Sequence, residues 1–156
     1  MKFINNIACE GILEKSKFEQ VKRCNFFKQI MVDDVFEVPI QKPDIESIVT
    51  IYVTSIITKK KMISAIDSKK IIFHGILNIK IIYVANEPEQ SVHSVDFSQD
   101  FFSFLNYYKK CDEDCNFYNI KSYIEDIEPI IVNPRKINIT TLILNCLTSC
   151  KKCNVK

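Results

Sequence analysis

Seven cysteines and two histidines hold most of the reactive chemistry that this sequence offers. Cys9 and Cys24 lie near the start, Cys111 and Cys115 frame the acidic run CDEDC, and Cys146, Cys150 and Cys153 fall in CLTSCKKC near the end. Most sit among Lys and Asp, which predicts exposed thiols open to oxidation, because structural thiols would be scattered through strand interiors. Three chemistries compete for them. Cys111, Cys115, Cys150 and Cys153 could give zinc four thiolates, but only Cys150 and Cys153 have the spacing of a zinc knuckle. Thiol redox catalysis at CKKC asks for a strand before the motif and a helix opened by it, and here the motif stands almost at the last residue. Disulfide bonding has neither requirement, and an odd count suits bonds between chains at least as well as bonds within one. All seven are therefore disulfide candidates, and neither a metal nor a cofactor is expected.

The imidazoles are His74 and His93. His74 falls mid-strand on a half-polar face, where a hydrogen-bonded or surface His is the ordinary case, and neither His has a Ser or Cys nucleophile in a motif beside it. Lys59–Lys61 and the Lys69-Lys70 pair flank strand ends and read as charges that keep a sheet edge soluble. Asn138-Ile139-Thr140 matches a glycosylation acceptor but lies inside an expected strand. With no glycine-rich loop, paired-carboxylate motif or phosphate cradle, no catalytic residue is assigned and the chain is not expected to be an enzyme. Phe97, Phe101, Phe102, Phe104, Tyr107 and Tyr108 form an aromatic cluster that reads as core plus an interface edge rather than a ligand platform.

The elements that must position these groups are strands. Lys70–Ala85 alternates strictly, with Ile71, Phe73, Gly75, Leu77, Ile79, Ile81 and Tyr83 on one face, which predicts a long strand with that face buried. Shorter strands are expected at Phe26–Val32, Val35–Ile40, Ile48–Thr58, Tyr118–Ile127 and Lys136–Cys146, while Ser91–Phe97 and Phe101–Tyr108 read as further strands or as one strand and an aromatic edge. Only Asp44–Ile48, entered through Lys42-Pro43-Asp44, carries a helix-start signature. Six to nine strands in one unit argue for an all-β fold, an antiparallel β-sandwich or open barrel. Residues 1–25 fit neither period and read as an N-terminal arm with poor reason to fold onto its own core. The expected layout is arm 1–25, β domain 26–147 and a Cys-rich tail 148–156.

At 156 residues, 47% hydrophobic and 26% charged, the chain has the apolar content for one globular core. A formal net charge of +2 is too small for a dedicated binder of nucleic acid or anionic membrane, so neither is expected as a partner. The longest apolar stretch, from Ile71 to Ala85, is broken by His74, Asn78 and Lys80 and is shorter than the ~20 residues of a membrane span. Asn5, Asn6 and Glu10 interrupt any apolar h-region at the start, so the expectation is a protein made in a cytoplasm without a signal peptide.

The stretch Lys28–Tyr107 resembles the SPOCS domain family of clostridial spore-coat and exosporium proteins. The likeness is carried by KQIMVDDVFEVPIQKPDIESI, by HGILNIKIIYVANEPEQSVHSVDFSQDFFSFL and by the later PRKINITTLIL. Gln41-Lys42-Pro43-Asp44-Ile45-Glu46 and Gly75 with Ile82-Tyr83-Val84-Ala85 are its most specific pieces. The resemblance implies a β-rich, non-enzymatic building module of the protein layers around an endospore. Such proteins accumulate in the mother-cell cytoplasm and are deposited on the spore surface, where lysis of that cell exposes their thiols to oxidant. The expected function is a self-assembling structural subunit joined by intersubunit disulfides, with the arm docking on a neighbouring copy. The alternative is a monomeric coat adaptor that binds another spore-coat protein and keeps its Cys as free thiols or zinc ligands.

Overall fold

The computed structural model describes residues 1–22, 26–66, 68–107 and 119–148. Its longest strands grow from the densest runs of β-branched residues. Strands β4 (Ile45–Ser64), β5 (Lys69–Ala85) and β6 (Val92–Tyr107) form an antiparallel meander with β5 in the middle. The alternation expected on β5 is realised: Ile71, Phe73, Leu77, Ile79, Ile81 and Tyr83 are each no more than 3% exposed. Asn78 and Lys80 face solvent between them. Gly75 sits opposite Phe101 in the ladder, and a Cβ at this position would lie 2.2 Å from the Phe101 ring. The glycine therefore makes room for the aromatic side chain laid across it.

Three expectations along this meander are corrected. The helix-start signature at Asp44–Ile48 opens β4 instead, because Ile45 and Ile48 are buried in the core and the Asp44 carboxylate pairs with Arg135 rather than with helix N–H groups. Lys59–Lys61 lie within β4, where register shifts at Ile57/Lys59 place Thr58 at a bulge. The expected runs Ser91–Phe97 and Phe101–Tyr108 fall, from Val92 to Tyr107, on one uninterrupted strand, β6.

A second antiparallel sheet runs in the order β3 (Phe27–Glu37), β8 (Lys136–Thr148), β7 (Asn119–Asn133). The two runs expected on either side of Asp33-Asp34 are one strand, since Thr140 of β8 donates its hydroxyl to Asp33 across the ladder. The sheets pack face to face over one apolar core. Ile127, Ile137, Ile139 and Ile143 supply it from the second sheet, and Phe36 meets Phe97 with ring centroids 4.9 Å apart. The fold is all-β, two layers of antiparallel-rich sheet, and among the described residues no closed barrel forms.

The arm folds onto its own core, contrary to expectation. Asn5 and Asn6 take positive φ and join β1 (Lys2–Ile4) to β2 (Ile7–Glu10) in a tight hairpin. β2 then pairs in parallel with β4, so Ile7, Ala8 and Cys9 are buried. Gly11, at φ +95°, passes so close to Val53 that a Cβ would lie 1.9 Å from the Val53 carbonyl oxygen. Two residues on, the Leu13 N–H donates to the Ile124 carbonyl of β7 at 2.7 Å. A short helix, α1 (Phe18–Lys22), follows, and Phe18 and Val21 share an apolar groove with Phe27 and Leu144. The arm thus straps one sheet to the other. Its pattern looked aperiodic because it makes two very short strands and then changes sheets.

Candidate functional site

The outer face of the meander, at the end furthest from the β5–β6 turn, gathers the groups with most chemical potential. His74 projects outward from β5 and is opposite Phe102 of β6, with ring centroids 4.5 Å apart. Its Nδ1 lies 2.6 Å from the Thr58 hydroxyl and its Nε2 lies 2.8 Å from Asp100 Oδ1. Thr58 reaches the ring because it stands at the bulge, and Asp100 because it is two residues from the cross-strand partner of His74. Ile72, Phe104 and Lys59–Lys61 complete an open groove of about 700 Å³ around this row. Lys28 Nζ lies 3.6 Å from the Phe104 ring centroid and Lys70 Nζ lies 5.4 Å from it, both cation–π contacts.

Hydroxyl, imidazole and carboxylate in a row can orient an imidazole and share a proton. Acyl transfer would also need donors aimed at an oxyanion. β5 is hydrogen-bonded to a neighbour on both sides, so its N–H groups lie in the plane of the sheet and none points into the groove. His93 serves the fold: it stacks on Tyr83 with ring centroids 5.8 Å apart and meets the Ser91 hydroxyl at 2.9 Å. Phe101 is buried and Phe97 packs on the core, while Phe102 is 76% exposed, so this part of the aromatic cluster is core plus edge. The Tyr107 side chain and Tyr108 lie outside the described residues.

Of the seven disulfide candidates the structure describes two. Cys9 is a free thiol with no exposed surface, and its burial pushes the thiol pKa up. Cys146, on β8, is also fully buried and is disulfide-bonded, with its partner outside the described residues. Neither is among the exposed thiols that were expected to be the majority, because each sits in a strand with its side chain packed away from water. Cys24, Cys111, Cys115, Cys150 and Cys153 lie outside the described residues. Among the described residues no cluster of His, Cys, Asp or Glu could hold a metal ion.

At the opposite end, Arg135 was not singled out by sequence, yet it organises the β3–β4 turn. Its guanidinium pairs with Asp44 and donates to the carbonyls of Val38, Pro39 and Lys42. The Tyr83 hydroxyl donates to the Pro43 carbonyl at 3.1 Å, and the Asn86 N–H donates to the Asp44 carbonyl at 2.9 Å. The segment Gln41–Glu46 and the Tyr83 region, which carry the family likeness, therefore meet in one clasp. A signal was present: only two of the 21 basic residues are Arg, and a planar fork of donors suits several carbonyls where Lys does not.

Comparison of the chain with curated proteins and with solved structures finds no match. Residues 44–132, more than half of the chain, match the family described as SipL, SPOCS domain. That span holds the whole β4–β6 meander and nearly all of β7, so the protein belongs to the SPOCS domain family.

Proposed function

We propose that the protein is a structural, self-assembling subunit of a bacterial endospore surface layer or appendage, fixed by disulfides between subunits. The observation that carries this reading is the edge of the larger sheet. β6 is a 16-residue edge strand whose outer side is unpaired among the described residues. Natural edges are blunted by Lys, Pro or bulges. β6 contains no Lys or Pro, and its ladder with β5 has no register shift, although Asp96 and Asp100 add charge to its outward face. Such an edge is a template for pairing with another chain. Membership of the SPOCS family supports placing the product on the spore, after synthesis in the mother cell. With Cys9 sealed in the core and Cys146 taken by a bond within the chain, the intersubunit bonds fall to those of Cys24, Cys111, Cys115, Cys150 and Cys153 that Cys146 does not use.

The test is the purified full chain, run on denaturing gels with and without reductant and viewed by electron microscopy. Regular assemblies, with covalent ladders only when reductant is absent, are expected. A chain that stays monomeric under oxidising conditions and carries about one zinc by elemental analysis would instead favour the coat adaptor.

A further inference from the structure

Among the described residues the two ends of the molecule carry opposite charge. One end holds Lys59, Lys60 and Lys61 on β4 and Lys69 and Lys70 on β5, around the groove formed by Ile72, Phe102 and Phe104. No carboxylate lines this groove among the described residues, and Asp100 stands beside it on His74. The other end presents Glu46, Glu87 and Glu89, all exposed. The charges around these three offset one another, since Arg135 pairs with Asp44 and Lys136 with Glu37, leaving Lys42 as the opposing cation. Next to the acidic residues Ile40 stands 87% exposed at the tip of the turn that Arg135 holds rigid. Phe73, which pairs with Lys60, and Ala85, at the end of β5, are about 40 Å apart at ~3.3 Å rise per strand residue. This separation is several Debye lengths at physiological salt, so the ends cannot neutralise each other within one chain.

We infer that a second copy of this chain docks end to end, its Ile40 seated in the Phe102–Phe104 groove and its Glu87 and Glu89 against Lys59 and Lys61. This rests on the self-assembly reading and supplies it with a specific longitudinal contact. The occupant is argued from charge complementarity together with shape: a basic, apolar hollow at one end and an acidic rim with an apolar knob at the other. The contact is heterologous, so it leaves a free end on each copy and propagates into a filament along the strand direction.

Zero-length carbodiimide cross-linking of the full chain in reductant, mapped by mass spectrometry, reads this contact directly. The ends are too far apart to be linked within one chain, so an amide between Lys59 or Lys61 and Glu87 or Glu89 must join two copies. Such links are expected at low salt. Lys59→Glu with Lys61→Glu, or Glu87→Lys with Glu89→Lys, should raise the concentration needed for end-to-end growth by about tenfold or more, because attraction becomes repulsion. Mixing the two variants should restore growth. All four side chains are exposed, so circular dichroism and thermal melting should be unchanged in both variants. If assemblies form without these links, or if each variant alone grows like the parent, the end-to-end contact is wrong while self-assembly stands. A parent that forms no assemblies in any redox state overturns both.

Discussion

Glycine at position 75 is a packing decision made by a side chain on another strand. The ring of Phe101, itself 4% exposed, occupies the space where a Cβ would be, so Gly75→Ala must push a buried ring rather than a flexible tip. We expect this substitution to destabilise by about 1–3 kcal/mol in urea unfolding, with Phe101→Leu relieving part of the loss in a double-mutant cycle. Leu77, on the same face, is 1% exposed. Leu77→Ala should cost about 2–5 kcal/mol. Lys80→Ala should be nearly neutral, because its contact with Asp96 is an exposed pair at 3.6 Å. Comparable losses at 77 and 80 would mean that the strand register is wrong. Cys9 gives a pH test. Burial raises its pKa in the folded state, so above the unfolded thiol's ~8.5 the unfolded chain binds fewer protons than the folded one. Stability should be level below that pH and fall as pH rises beyond it, and Cys9→Ala should flatten the fall between about pH 8.5 and 9.5. A variant as pH-sensitive as the parent in that window would remove Cys9 as the cause.

Strands were legible where one face is buried and the other is not, and illegible where the reason for a conformation sits elsewhere in the chain. The β5 face could be read residue by residue because period two is a local property. The helix signature at Lys42-Pro43-Asp44 misled because the cation that takes the Asp44 carboxylate is 91 residues away. The row Thr58, His74, Asp100 was missed for a similar reason: it depends on a bulge in one strand and on the register of another. Arg135 is the element-scale case with most at stake. Replacing it by Ala leaves three carbonyls and the Asp44 carboxylate without their shared donor. Arg135→Ala should therefore destabilise by about 1–3 kcal/mol. Arg135→Lys should recover little of this, since an ammonium cannot reproduce the planar fork. Hydrogen exchange should localise the damage, with the Val38 and Ile45 amides losing protection while the middle of β5 keeps it. Uniform loss across the sheet would show that the clasp supports the whole fold rather than its turn.

On the scale of the whole molecule the first fourteen residues are part of the fold, and this changes what their removal should do. β2 covers the side of β4 that would otherwise be a second open edge, and it brings Ile7, Ala8 and Cys9 into the core. The bridge from Ile12 to Ile124, with the Leu13 N–H on the Ile124 carbonyl, then ties the first sheet to the second. A chain beginning after residue 14 would lose three buried apolar side chains and leave the N–H and C=O groups along one side of β4 unpaired. Burial of an Ile is worth about 1.5–3 kcal/mol, a sizeable share of the ~5–15 kcal/mol that keeps a domain of this size folded. We therefore expect the truncated chain to have a lower urea midpoint and a sheet edge that associates without order, rather than to behave as a soluble monomer. A full chain carrying only Ile7→Ala should show the loss of stability without the disordered association, because its edge is still covered. Light scattering beside urea titration separates the two effects. If the truncated chain is monomeric and as stable as the parent, the strap contributes nothing to the fold and the segment is free to serve another purpose.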